Sequence, residues 1–202
     1  MGSFDASWNW EHGPVRIEYR VPVADEGLEK GALGSNHRRS VNRGDRAGWR
    51  LEEMAGRAGV RVINEVKWNA SVRQRGSSSS FEASTRGWDP SVDESSKFSS
   101  THGGRVFAVI DGEQLLAAAL VIWSSGRAFY VEGGSTQEGY RVGAAHWMHF
   151  NIINLICNRG ISVYNFGGIP TGGQDPQSPH HGLHRFKRGF GALECEVRGF
   201  RS

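Results

Sequence analysis

Residues 185–188 form the densest group of chemically active side chains in the sequence, with three cations around one aromatic ring. Arginine binds phosphate bidentately and stacks on nucleic-acid bases, so this turn suits a phosphate-bearing partner. The alternative is that Phe186 and Phe190 are core residues at helical spacing and that the neighbouring charges are only solvated.

Arginines are concentrated at a second place, residues 38–50, where five arginines and one aspartate give a local charge of +4. Four of them follow helical spacing and would share one face of a helix: Arg39, Arg43, Arg46 and Arg50. Such a face can follow an RNA backbone, and it can equally be a solvated surface. Only four of the 24 basic residues are lysine, a bias that a GC-rich genome would also produce.

Three histidines, His180, His181 and His184, lie close together in the sequence. No cysteine or carboxylate completes a set of metal ligands there, and Pro179 favours a loop. We therefore predict no metal site. No serine, histidine and aspartate have the spacing of a nucleophilic triad.

The composition is typical of one folded domain. The 202 residues are 38% hydrophobic and 22% charged, which excludes a wholly disordered chain. Two cysteines, Cys157 and Cys195, are too few for a disulfide scaffold. The longest apolar run, residues 115–123, is too short to cross a bilayer as a helix, and the first ten residues lack the features of a signal peptide. We therefore expect a soluble, cytoplasmic protein without a membrane span.

The elements that position these residues follow from the hydrophobic pattern. Strands are predicted at residues 15–21, 49–52, 105–110, 115–123, 128–132, 161–166 and 193–200. Helices are predicted at residues 26–48, 60–75, 142–158 and 183–190. The serine-rich stretch 76–104 is expected to contain short helices with a mobile connection.

The order of these elements predicts a single α+β domain with a mixed, largely antiparallel sheet flanked by helices. A strand–helix–strand unit makes parallel neighbours, and the predicted strand at residues 128–132, which ends at Gly133 and Gly134, would leave the sheet splayed around a cleft. This topology resembles the GCN5-related N-acetyltransferase (GNAT) superfamily. We divide the chain into an N-terminal strand and lead-in helix, residues 1–34, and an acyltransferase-type domain, residues 35–202.

Three segments carry a more specific resemblance: residues 36–43, residues 164–170, and residues 182–191 with the pattern Phe-Lys-x-x-Phe-Gly. Together they resemble the Fem-type aminoacyltransferases, which use aminoacyl-tRNA to add residues to peptidoglycan precursors. The resemblance covers roughly residues 35–195 and corresponds to the second of the two domains of those enzymes. Asn165 stands where that family usually has aspartate. In size the chain is more similar to stand-alone relatives in natural-product pathways, including those that extend peptidyl nucleoside antibiotics.

The resemblance implies transfer of an amino acid from aminoacyl-tRNA to an amine, such as a peptide N-terminus that is free or bound to a carrier protein, with no cofactor. It implies that Lys187 stabilises the oxyanion, and His184 beside it is a candidate general base. The predicted substrate-binding and tRNA-binding residues are Arg38, Arg39, Arg43, Arg46, Arg185, Phe186, Arg188, Glu132, Gly133 and Asn165.

Two other functions remain open. One is an acyltransferase that uses acetyl-CoA or another acyl-CoA, although residues 137–144 depart from the Arg/Gln-x-x-Gly-x-Gly/Ala loop of such enzymes. The other is a non-catalytic module that binds tRNA.

Overall fold

The computed structural model describes residues 11–23, 26–75 and 102–201. Most of the serine-rich stretch, and the prediction made for it, lies outside these residues. The strands are β1 (Glu11–Pro22), β2 (Arg50–Met54), β3 (His102–Asp111), β4 (Gln114–Ser124), β5 (Arg127–Ser135), β6 (Val163–Gly168) and β7 (Leu193–Arg201). The helices are α1 (Ser35–Ala47), α2 (Gly56–Arg75), α3 (Gln137–Val142), α4 (Ala144–Cys157) and α5 (His181–Arg188).

The strands form one sheet in the order β2-β3-β4-β5-β6-β1-β7. Every neighbouring pair is antiparallel except β5 and β6, which are parallel. That parallel ladder is short, because it joins only Arg127–Phe129 to Val163–Asn165. Beyond Phe129 the two strands separate. The predicted mixed, largely antiparallel, splayed sheet is confirmed.

Helices cover both faces of the sheet. Ala117 and Ala119 of β4 face α1 and α4, whereas Ala118, between them, faces α2. All three are fully buried. This explains the apolar run in β4, because a strand covered on both faces does not alternate with polar residues.

The predicted end of the strand at residues 128–132 was wrong. Gly133 and Gly134 lie inside β5, which continues to Ser135. A Cβ on Gly133 would lie 2.3 Å from the carbonyl oxygen of Ala118, so only glycine permits this close approach between β5 and β4. The glycines therefore mark tight strand packing, and the splay comes from the divergence of β5 and β6.

The predicted helix at residues 26–48 begins too early. Helix α1 starts at Ser35, and Lys30–Ala32 form only a 3-10 turn. Three glycines before residue 35 disfavour a continuous helix there, while Gly48 follows the helix end as predicted. Because α1 ends at Ala47, Arg50 lies on β2, as the predicted strand at residues 49–52 requires, and does not share the face of the helix.

The predicted helix at residues 142–158 is confirmed as α4, Ala144–Cys157, and a separate short helix, α3, ends just before it at Val142. Gly143 has a φ of +78°, which ends α3 and begins α4. That left-handed backbone cannot continue a helix and is readily adopted by glycine. The joint lies against α1, since a Cβ on Gly143 would be 2.6 Å from Ser40 Oγ.

Strand β1 lies between β6 and β7, so the segment before residue 35 and the domain after it share one sheet. Within the described residues, no helix is long and apolar enough to cross a membrane. Over the same ranges, no group of three or more His, Cys, Asp or Glu side chains is placed to hold a metal ion.

Candidate active site

A cleft of about 730 Å³ opens between the start of α1, the joint of α3 and α4, and helix α5. Its polar lining includes Ser35, Asn36, His37, Tyr140, His146 and Arg185. The cleft exists because α5 packs across the ends of two helices, and Gly189 after α5 approaches Gly34 before α1. The Gly34 N–H donates to the Gly189 carbonyl at 2.8 Å, which fixes the two walls together.

Two histidines form the inner wall of the cleft. His37 is buried, and its Nε2 donates to the Phe186 carbonyl oxygen at 2.7 Å. His146 is half-buried, and its Nδ1 donates to the Gly143 carbonyl oxygen at 3.2 Å. The rings meet edge to face with centroids 4.4 Å apart.

Burial keeps these imidazoles neutral. It lowers the pKa of His146 to about 4, with a further contribution from the neighbouring His37. Burial also lowers the pKa of His37, although the hydrogen bond to Phe186 opposes the shift. Behind them His149 is fully enclosed and bonds through Nδ1 to the Tyr164 hydroxyl at 2.9 Å, and burial lowers its pKa to about 3. The floor of the cleft is therefore aromatic and uncharged near pH 7.

Lys187 is buried against the end of β6, beside cleft-lining Phe186 but not itself in the cleft lining. Its ammonium donates to the carbonyl oxygens of Phe166, Gly167 and Gly168 at 2.9, 3.0 and 2.6 Å. The residue is only 4% exposed, and burial lowers its pKa to about 8, while Glu18 opposes the shift. In this geometry all three N–H groups of the ammonium hold backbone, and its positive charge stays at the β6 end.

Asn165 shapes the same backbone. Its Oδ1 accepts from the Gly167 N–H and its Nδ2 donates to Glu18 Oε2, both at 2.7 Å. The side chain thus folds the β6 end into the turn whose carbonyl groups converge on Lys187. Signature residues from α5 and from β6 form one unit.

The segment from α1 to α5 matches the sequence pattern of a known protein family. The acetyltransferase (GNAT) domain family matches residues 34–188, more than half of the chain. The chain belongs to the acetyltransferase (GNAT) domain family. The cleft thus lies inside the GNAT domain and is built from both of its ends.

Curated relatives of this GNAT domain include the aminoacyltransferase FemB of Staphylococcus epidermidis, 35% identical over 90 residues, covering 44% of this chain and 21% of FemB. Another is the lipid II:glycine glycyltransferase of Staphylococcus saprophyticus, 28% identical over 108 residues, covering 54% of this chain and 24% of that protein. The matched part spans about a quarter or less of these relatives. The crystal structure of FemX aligns with a TM-score of 0.69 at 15% identity, covering 96% of this chain and 63% of FemX, which shows a shared fold.

The other predicted residues of α5 lie around the cleft of the GNAT domain. Phe186 is half-buried between His37, His146 and His149, and Arg185 is exposed on the cleft wall. Arg188 points away, because its guanidinium bonds the Ala192 carbonyl and lies 3.9 Å from Glu194.

His184 lies on the side of α5 that faces β1. Its Nδ1 is 2.8 Å from the Tyr19 hydroxyl, and its ring stacks on His181. It is not part of the cleft lining. Its role as a general base stays a prediction.

The arginines of α1 are exposed: Arg38, Arg39, Arg43 and Arg46. Arg43 also donates to the Val142 carbonyl at 3.0 Å, which ties α1 to the end of α3. They lie on the helix whose first turn borders the cleft, so a ligand that leaves the cleft has a basic surface beside it.

Glu132 and Gly133 are not brought to the cleft. Glu132 pairs with Lys67 of α2 at 2.5 Å, and Gly133 packs on β4. Sequence reasoning treated them as the rim of a broken strand, but β5 is continuous and α2 covers this end of it.

The residues that sequence reasoning missed are His37 and His146. His37 was inside the segment 36–43 that carried the family resemblance, so its position was flagged but its role was not. His146 has no sequence signal of its own, because only the break at Gly143 turns it toward α1.

Proposed function

We propose that this GNAT domain moves an aminoacyl group from aminoacyl-tRNA to an amine and so forms a peptide bond. The observation that carries the proposal is the Phe-Lys-x-x-Phe-Gly signature of residues 186–191, which folds as one unit with the β6 end and contributes Phe186 and Gly189 to the cleft lining. The similarity to FemB and to the lipid II:glycine glycyltransferase, whose names state aminoacyl and glycyl transfer, supports it.

In the proposed reaction the amine nitrogen attacks the ester carbonyl carbon, a C–N bond forms, and the bond to the ribose oxygen breaks. The amine loses one proton and the ribose oxygen gains one, so no net base is consumed. The charge of Lys187 stabilises the oxyanion of the intermediate through space. Aminoacyl-tRNA is cytoplasmic, which places the proposed reaction there.

The structure after β5 argues against coenzyme A as the donor. A pyrophosphate needs free N–H groups at a helix N-terminus. At the start of α3 the Thr136 side chain already accepts from the Gly139 N–H at 3.0 Å, and Glu138 adds a carboxylate in the first turn. At the start of α4, Ala144 is fully buried.

The donor can be tested directly. We expect the protein to slow hydrolysis of the ester in a mixture of charged tRNAs, and to show no heat of binding with acetyl-CoA. Arg185→Ala should weaken the protection, because it removes the cation on the cleft wall, whereas Arg57→Ala on the opposite face of the sheet should not. Micromolar binding of acetyl-CoA together with the absence of RNase-sensitive transfer would contradict the proposal. Tight tRNA binding with no transfer to any of a panel of amines would indicate a binding module.

We propose peptide natural-product biosynthesis as the setting, because a free peptide N-terminus supplies the amine that the proposed transfer needs. A product in which an added residue caps a peptide N-terminus supports this, and modification of a lipid-linked cell-wall precursor opposes it.

A further inference from the structure

Two ring nitrogens in the cleft have no hydrogen-bond partner within the ranges that the structure describes. Carbonyl oxygens only accept hydrogen bonds, so His37 Nε2 and His146 Nδ1 carry the protons given to Phe186 and Gly143. The remaining nitrogens, His37 Nδ1 and His146 Nε2, therefore bear lone pairs. Both rings line the cleft and their centroids are 4.4 Å apart, so the cleft lining contains two neutral acceptor groups.

We propose that His37 and His146 hold the amine of the acceptor substrate, an assignment that rests on the proposed aminoacyl transfer. A neutral amine has two N–H donors for two acceptor nitrogens, and its lone pair stays free to attack the ester. A ribose hydroxyl has one donor and would leave one acceptor unpaired. The amine is thus the chemical group that fits the pair.

The electrostatics of the cleft favour the neutral amine. Arg185 is a permanent cation on the wall, His180 and Tyr140 are the other titratable groups, and no carboxylate lies among the described lining residues. An ammonium would lie near Arg185 without a counterion, so its proton is lost on binding. Only the neutral form is nucleophilic, and the two histidines thus act as positioning residues.

Nitrogen NMR of the histidine rings tests the binding step without tRNA. The probe is L-alanyl-L-alanine amide at millimolar concentration, and its N-acetylated form is the control. We expect the lone-pair nitrogens of His37 and His146 to shift with the free amine and not with the acetylated peptide. No shift, the same shift with both peptides, or a shift with adenosine only would overturn the assignment.

Two variants of one residue separate positioning from packing. His146→Gln can place an amide oxygen near the position of Nε2, whereas His146→Asn can keep the bond to Gly143 but does not reach the cleft. We expect His146→Asn to raise the KM for the acceptor peptide about tenfold, with kcat and tRNA affinity little changed. The KM of His146→Gln should be close to that of the wild type. An equal rise in the KM of both variants, with equal losses of thermal stability, would overturn the proposal.

A failure of the proposed aminoacyl transfer can be distinguished from a failure of the amine subsite. If the amine shifts both rings but no aminoacyl transfer occurs, the amine subsite stands and the proposed donor is wrong. If transfer occurs while the peptide leaves both rings unmoved, the donor stands and the subsite is wrong.

Discussion

At the scale of single residues, Lys187 is a buried cation to which no carboxylate of the described residues is hydrogen-bonded. Its charge is balanced by three backbone carbonyl groups and, at longer range, by Glu18. A lysine so enclosed has two effects, since it ties α5 to the β6 end and keeps a positive charge next to the cleft-lining Phe186. A substitution is therefore expected to affect both folding and catalysis.

We expect Lys187→Ala to lower the single-turnover rate at saturating tRNA about 10²–10³-fold, because one charge that stabilises the oxyanion is lost. Stability should also fall by about 2–3 kcal/mol, since buried carbonyl groups lose their donor. Lys187→Arg should rescue the rate only partly, because a planar guanidinium does not fit three converging carbonyl groups. Lys30→Ala, which removes a surface lysine, is the control. A fall in tRNA affinity with an unchanged saturated rate would make Lys187 a phosphate anchor instead.

The lowered pKa of Lys187 predicts how the stability of the folded protein depends on pH. Its pKa is about 8 in the folded protein against 10.5 as the ordinary value, so between these values the unfolded chain binds more protons. This lysine therefore makes the folded protein gain stability as pH rises from about 8 to 10.5. The difference in free energy of unfolding between wild type and Lys187→Met, measured by urea titration across that window, should show this rise.

Asn165 makes a contact with Glu18 that an aspartate at the same position could not make. Its Nδ2 donates to Glu18 Oε2 at 2.7 Å, so an aspartate here would place two carboxylates in contact. We expect Asn165→Asp to destabilise the protein by about 1–3 kcal/mol at pH 7 and less at acidic pH. The sign follows because mutual repulsion raises the folded-state pKa of the pair, so stability falls as pH rises through it. In a double-mutant cycle Glu18→Gln should relieve the loss, and an unrelieved loss would place the cause elsewhere.

At the scale of elements, α1 combines a cleft-lining first turn with a basic outer face. Because the helix ends at Ala47, only Arg39, Arg43 and Arg46 share the predicted helical face, and Arg50 instead lies beside Glu52 on β2. We therefore expect the salt dependence of the proposed tRNA binding to depend on three arginines of this face and not on four.

We expect the triple substitution of Arg39, Arg43 and Arg46 by alanine to flatten the slope of log affinity against log salt by about 2 units, because each phosphate contact releases somewhat less than one counterion. Arg57→Ala with Arg61→Ala on α2 is the matched control, since these exposed arginines lie across the sheet. Affinity should be measured by filter binding over a range of salt. An unchanged slope in the triple variant would show that the face is only solvated.

At the scale of the whole molecule, the site depends on the sheet order. Strand β1 lies between β6 and β7, which brings Glu18 and Tyr19 beside Asn165 and His184 although more than a hundred residues separate them in sequence. The short parallel ladder between β5 and β6 leaves the β6 end free of β5, and α5 packs there through Lys187. The residues around the cleft thus come from both halves of the chain.

The sequence by itself determined the fold class, most strands, and the signature of residues 182–191. Those features are local: apolar periodicity reports which face is buried, and a short motif is read directly. It could not place Gly133 inside β5, because a strand end and a close backbone approach select the same residue type. Nor could it pair Lys187 with three carbonyl groups or turn His146 toward His37, since those contacts depend on the left-handed Gly143 and on how α1, α4 and α5 pack. Such long-range packing decides which side chains meet, and only the tertiary structure contains it.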